Sequence, residues 1–172
     1  MNNKQEIFRS TKIIDGFSTC FRQWKATGTH CSFLHGYSIY FKVTFEGDLD
    51  ERNWVNDFGF LKRSKTKMKG YGSDEKIKEG FTVDEWFKYF FDHTVVIAED
   101  DPYLETFYKL HTQNALQLRF MPQVGCEMFA KFVYENLNKF IKKETDYRVK
   151  VVEVECFEHS KNSAIYSEYN LD

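Results

Sequence analysis

At 172 residues, with aromatics at 18%, the chain has the size of one domain with a ring-rich core. Its 24 basic and 26 acidic side chains nearly balance, which excludes a nucleic-acid binder that works by neutralising phosphates; no apolar run approaches the roughly 18 residues that span a bilayer. The opening Met1-Asn2-Asn3-Lys4-Gln5-Glu6 is polar and without a secretion signal, and Cys20, Cys31, Cys126 and Cys156 form no C-x-x-C pair, so reduced thiols in a cytoplasmic protein are expected.

A first strand of weak alternation is expected from about Ile7 to Phe21, with Ile7, Ile13 and Phe17 on one face and Gly16 marking a bulge or bend. Arg22 to His30 follows as a loop. Cys31-Ser32-Phe33-Leu34-His35-Gly36-Tyr37 then runs into the clearest strand pattern in the chain. From Tyr37 to Phe45 every odd residue is apolar or aromatic (Tyr37, Ile39, Phe41, Val43, Phe45) and the even ones are mostly polar, a period of two that marks a half-buried antiparallel strand. Cys31 and His35 thus lie where a loop enters a rigid element, a common address for chemistry. Glu46-Gly47-Asp48 signals a turn.

Asp57 is placed to cap a helix that continues through the basic run Lys62, Arg63, Lys65, Lys67 and Lys69, ending at Gly70, Gly72 and Ser73. Thr82 and Glu85 form a capping box for a short helix carrying Trp86, Tyr89 and Phe90, which closes on Phe91-Asp92-His93. Asp100 or Asp101 before Pro102 starts another helix, and residues 115–121 alternate as a short strand. From Gly125 to about Lys143, Phe129, Val133, Leu137, Phe140 and Ile141 recur at helical spacing, with Lys139, Lys142 and Lys143 complementing the dipole at its end. Arg148 to Glu158 is a second strong strand. Its apolar parity switches between Val149/Val151 and Val152/Val154/Cys156, which implies a bulge or burial on both faces. Ala164, Ile165 and Tyr166 form a last short strand. No repeat or linker divides the chain, so an α+β domain over residues 1–172 with antiparallel pairing is expected.

Several separated motifs carry a resemblance. Cys31-x-x-x-His35-Gly36-Tyr37 resembles the C-x-x-x-H-G-H signature of the 6-pyruvoyl- and 6-carboxytetrahydropterin synthases. Asn56-Asp57-Phe58-Gly59-Phe60-Leu61-Lys62 is similar to the segment that opens the family's first helix, Phe91-Asp92-His93 to its Asp-His pair, and Glu127 before Phe129-Ala130-Lys131 to the acidic start of its second helix. Glu158 and Tyr166 match its terminal Glu and Tyr. The motifs cover nearly the whole chain, in order.

The resemblance implies the tunnelling fold: a four-stranded antiparallel sheet with two main helices on one face (ββααββ), here with extra helical insertions. It implies trimers whose sheets close into a barrel, stacked as hexamers, with sites between subunits; closure also removes sheet edges that invite pairing. The implied substrate is 7,8-dihydroneopterin triphosphate. One branch makes the pyruvoyl product; the other, favoured here, loses triphosphate and acetaldehyde to leave 6-carboxytetrahydropterin. Such products serve deazaguanine (queuosine-type), folate or biopterin pathways.

By the same resemblance Cys31 is the proton-transfer thiol, which requires a neighbour that favours its thiolate; taken alone, a cysteine is more often a buried structural one. Asp92 and His93 form the partner relay, although strand neighbours face opposite sides and Asp92 then orients a group elsewhere, even in another subunit. Glu158 anchors the pterin, accepting two hydrogen bonds from the ring's amino group and adjacent N–H, and Glu127 is a second carboxylate whose place in a helix's first turn also explains it. The threonine usual before Glu127 is replaced by Gly125-Cys126, which removes one expected pterin contact. The basic run Lys62–Lys69 suits a solvated face, and Arg22 and His30 are better placed for triphosphate.

The family holds catalytic zinc with three histidines. Two come from H-G-H, where alternate strand residues share a side; here the second is Tyr37. The third ends an F-x-A-A-H segment that here reads Phe17-Ser18-Thr19-Cys20-Phe21. His35 alone is retained, with Phe21 and Tyr37 at the other two positions. The zinc implied by resemblance is therefore expected to be absent, or held at a site rebuilt with Cys20 or Cys31. Turnover, or pterin binding without turnover, are the resulting alternatives.

Overall fold

The computed structural model describes residues 6–64, 66–69 and 79–169. Lys65, in the helix expected from Asp57, and Gly70, Gly72 and Ser73, expected to end it, lie outside the described residues.

The expected α+β fold is present. A four-stranded antiparallel sheet has the order β1 (Phe8–Ile14), β4 (Tyr40–Gly47), β7 (Val149–His159) and β8 (Asn162–Tyr166). On β4 the predicted alternation delivers Phe41, Val43 and Phe45 to the core, each fully buried. The parity switch in β7 is a bulge: Thr44 faces Glu153 and Phe45 faces Val151, leaving Val152 without an opposite residue.

Among the described residues the α-helices are α1 (Phe60–Arg63), α2 (Val83–Phe91), α3 (Leu104–Thr112) and α4 (Cys126–Glu144). The capping box opens α2, with Thr82 accepting from the Glu85 N–H at 3.3 Å and the Glu85 carboxylate accepting from the Thr82 N–H at 2.8 Å. The buried face of α4 packs on β7. Its Phe132 stacks on Trp86 at 5.2 Å and meets Phe90 edge-on at 5.0 Å, joining the two main helices through rings.

Two expected strands are each divided. Residues 7–21 give β1 and then β2 (Thr19–Phe21); the run from His35 to Gly47 gives β3 (His35–Tyr37) and then β4. β2 and β3 pair in a second four-stranded sheet ordered β3-β2-β5-β6, with β5 at Thr94–Ala98 and β6 at Leu118–Met121. β2/β3 is antiparallel, whereas β2/β5 and β5/β6 are parallel. The first break occurs where Gly16 has a φ of 88° and Phe17 turns inward to stack on Phe87 at 5.8 Å. At the second, Ile39 is fully buried between the strands, so alternation in the sequence runs unbroken through a change of sheet.

The helix expected from Asp57 is limited to one turn. Asp57 accepts from the Gly59 N–H at 2.8 Å, but Ser64 is extended, and Met68, buried, pairs with Phe81 across an antiparallel bridge. Burial of Met68 in this bridge outcompetes helix continuation. The third helix starts at Leu104 rather than Pro102, because the Asp101 carboxylate accepts from the Tyr103 N–H at 2.8 Å and holds an intervening turn. Among the described residues no helix is long and apolar enough to cross a membrane.

Candidate active site

The second sheet presents β2, β3 and the loop between them to the start of α4 and the end of β7. A pocket of about 180 Å³ opens there, lined by Phe21, Gln23, Cys31, Tyr37, Cys126, Glu127, Glu158 and the start of β8. Three of the sequence-predicted residues, Cys31, Glu127 and Glu158, thus converge from three separate parts of the chain. Each is placed by its own local structure. Cys31 sits in a single 3-10 turn, His30–Ser32, and its carbonyl accepts from the Gln23 N–H at 2.8 Å, which closes the loop. Glu127 stands in the first turn of α4, and Glu158 near the end of β7.

The loop is tied down from outside. Arg22 Nε lies 3.1 Å from Asp101 Oδ2, without the alignment of a hydrogen bond. The guanidinium also covers the Tyr103 ring at 5.0 Å. Trp24 donates to Asp100 at 3.0 Å, and Lys25 pairs with the same carboxylate at 2.5 Å. Arg22, one of the two residues expected near triphosphate, is therefore engaged with Asp101. Lys62, Arg63, Lys67 and Lys69 are exposed and do not line the pocket.

The three positions where the family pattern has histidines are neighbours: Phe21 pairs with His35 across β2/β3, and Tyr37 lies on the same side of β3. The Phe21 and Tyr37 rings stack with centroids 4.1 Å apart. The Tyr37 hydroxyl lies 2.7 Å from His35 Nε2. Burial pushes the Tyr37 phenol up to about 12, with Glu158, Cys31 and Cys126 adding to it, so the phenol stays neutral at physiological pH. A phenyl ring offers no ligand, and a phenol at neutral pH offers no phenolate. These side chains do not match the three protein ligands of a catalytic zinc, and among the described residues no group of three His, Cys, Asp or Glu is arranged to hold a metal.

Asp92 and His93 lie outside this pocket. Asp92 ends α2, and its Oδ1 accepts from the Ser18 N–H at 3.3 Å and lies 2.8 Å from His93 Nδ1. With Nδ1–H donating to the carboxylate, His93 Nε2 remains as an acceptor. The imidazole is 77% exposed, on a backbone with φ of 55° that non-glycine residues seldom adopt. Neither residue shares the pocket that Cys31 lines.

Sequence reasoning missed Gln23 as a pocket residue, and had Tyr37 and Cys126 only as replacements of family residues. Cys126 is hydrogen-bonded to the buried Cys156 thiol, which burial pushes well up. Gln23 carried no motif; only its proximity to Cys31 around the loop could have indicated it. A larger groove of about 900 Å³ runs beside β6 and α4, past Phe90, Met121 and Phe132, and holds none of the predicted site residues.

Comparison with known proteins agrees with this geometry. The family model described as 6-pyruvoyl tetrahydropterin synthase matches residues 11–169. An uncharacterized protein from Wolinella succinogenes has a similar fold, with a TM-score of 0.73, 19% identity, and 96% of this chain and 100% of that one covered. The 6-pyruvoyl tetrahydropterin synthase of Caenorhabditis elegans has a TM-score of 0.57 at 18% identity, covering 95% and 97%. That of Plasmodium vivax has 0.57 at 13%, covering 94% and 98%. No curated protein sequence matches the chain. With the family model extending over nearly the whole sequence and the Cys31, Glu127 and Glu158 motifs meeting in one pocket, this chain belongs to the 6-pyruvoyl tetrahydropterin synthase family.

Proposed function

We propose that the chain, acting as one domain over residues 1–172, is a 6-carboxytetrahydropterin synthase-like lyase that takes 7,8-dihydroneopterin triphosphate and releases triphosphate and acetaldehyde, with the 6-pyruvoyl product as the alternative outcome of the same binding. The observation that supports it is the convergence of Cys31 with Glu127 and Glu158 around one pocket. A carboxylate there can accept the paired N–H groups of an aminopyrimidinone ring, leaving the ring's substituent toward the thiol. Glu158 is the ring anchor, Glu127 a second acceptor, and Cys31 the group that moves protons on the side chain.

The relay is assigned to Asp92 and His93 of a neighbouring copy. Their absence from the residues that line the pocket favours a shared site, as does the form of the antiparallel sheet. Its edge strands β1 and β8 expose Phe8, Ile13 and Ile165 at 40%, 53% and 57%, the kind of edge that closure into a trimer or hexamer covers. Zinc has no part in this reading. The Phe21, His35 and Tyr37 side chains suit one another better than a metal, and a site rebuilt from Cys20 or Cys31 would consume the base or leave His35 its only imidazole.

The same aromatic set favours a second reading, a pterin-binding protein without turnover. Purified protein given 7,8-dihydroneopterin triphosphate, with products identified by mass spectrometry and a chelator control, separates them. A carboxylated product that resists chelation supports the lyase; a chelator-sensitive one means a rebuilt metal site. Bound pterin with no product supports the second reading.

A further inference from the structure

Gln23 takes no part in proton transfer or in anchoring by carboxylates, yet it is built into the pocket. Its backbone N–H is fixed on the Cys31 carbonyl at 2.8 Å. Its side-chain amide lies over the α-carbon of Gly125, the buried residue that precedes α4. A methyl group added to Gly125 would sit 2.5 Å from Gln23 Nε2 and 3.5 Å from Glu127 Oε2. Gly125 has a φ of 125°, where side chains are disfavoured in any case. The amide thus occupies space left by a glycine, beside a carboxylate that faces the same ligand volume.

The donor inventory gives this placement meaning. Ionised Glu127 and Glu158 only accept hydrogen bonds. The Tyr37 hydroxyl is engaged with His35, and the Ser163 hydroxyl donates to Glu155 at 2.7 Å. Asn162 lies on the exposed rim. The two thiols are weak donors. A ligand bearing a carbonyl beside its N–H groups would face carboxylates that repel it unless a donor meets that oxygen, and beside the backbone N–H groups that open α4 the Gln23 amide is the lining side chain placed to do so.

We propose that Gln23 is a specificity-determining residue whose amide donates to the ring carbonyl of a 2-amino-4-oxo-pteridine, selecting it over 2,4-diamino analogues that present a donor at that position. The inference rests on the pterin reading above.

Calorimetric titration of the wild-type protein, Gln23→Leu and Gln23→Glu with 7,8-dihydroneopterin and with 2,4-diaminopteridine tests it. Both variants remove a donor, and Gln23→Glu keeps the side-chain shape should Gln23→Leu fail to fold. Dihydroneopterin binding is expected to weaken about tenfold in each variant, while the diamino compound binds Gln23→Leu as tightly as wild type or tighter. Wild-type binding of dihydroneopterin that survives unchanged in the variants overturns the role of Gln23 and leaves the pterin reading standing. Equal weakening of both ligands also overturns it. No binding of dihydroneopterin by the wild-type protein overturns both.

Discussion

The Tyr37 hydroxyl lies 2.7 Å from Nε2 of His35, two residues apart on one side of a three-residue strand. The hydrogen bond engages a ring nitrogen through which His35 would bind a metal. The stacked Phe21 ring at 4.1 Å packs against the phenol. One residue retained from a ligand set is thereby drawn into a ring cluster.

Reversing that conversion takes both neighbours. Phe21→His with Tyr37→His restores three imidazoles on paired strands. The double variant is expected to retain about one zinc per chain after dialysis, and the wild type none, by elemental analysis. One zinc per chain in the wild type would sink the metal-free reading.

The same phenol links stability to pH. Burial raises Tyr37 from 10.0 to about 12 in the folded protein. A raised value means that the folded state holds the proton more tightly, so the contribution is complete below pH 10 and is lost as pH climbs toward about 12. Tyr37→Phe has no such proton to lose. Its urea midpoint should fall less steeply than the wild type's across that window, the remaining slope including Tyr134, also pushed up to about 12. Identical slopes would mean that Tyr37 titrates alike in both states.

A site shared between copies predicts complementation. Cys31→Ala and His93→Ala should each abolish turnover as pure proteins. Mixed and reassembled in equal amounts, they should regain about a quarter of the wild-type rate, since a site forms wherever an intact Cys31 meets an intact His93 of a neighbour. A mixture as inactive as its parts would place the relay within one chain or outside the reaction.

Asp101 has a side chain 0% exposed and pairs with Arg22, 15% exposed, at 3.1 Å. Asp101→Ala leaves that guanidinium buried without its partner, which costs about 3 kcal/mol in urea denaturation. Because Arg22 lies between Phe21 and Gln23, pterin affinity should fall as well. A variant as stable as wild type would show that Arg22 finds water instead.

What the sequence determined by itself was everything carried by local periodicity and end signals. The capping box at Thr82 and Glu85 satisfies backbone donors within four residues, so α2 needed no distant partner to be foreseen. The spacing of Phe129, Val133 and Leu137 fixed the buried face of α4, and the parity switch around Val152 was already the bulge. The order of motifs around Cys31, Asp92, Glu127 and Glu158 was enough to place the family.

Only the tertiary structure decided where strands change sheets, because a buried residue sits at each break, Phe17 at the first and Ile39 at the second, and Ile39 leaves the apolar alternation around it intact. It also decided that Met68 would pair with Phe81 rather than extend a helix. Above all it decided which residues meet. Gln23, Cys31, Cys126 and Glu158 come from different elements, and their convergence depends on the packing of a second sheet against α4 and β7. Asp92 and His93, at the C-terminal end of α2, do not line that pocket. Periodicity and caps act over a few residues, whereas a pocket is a property of how distant surfaces bury one another.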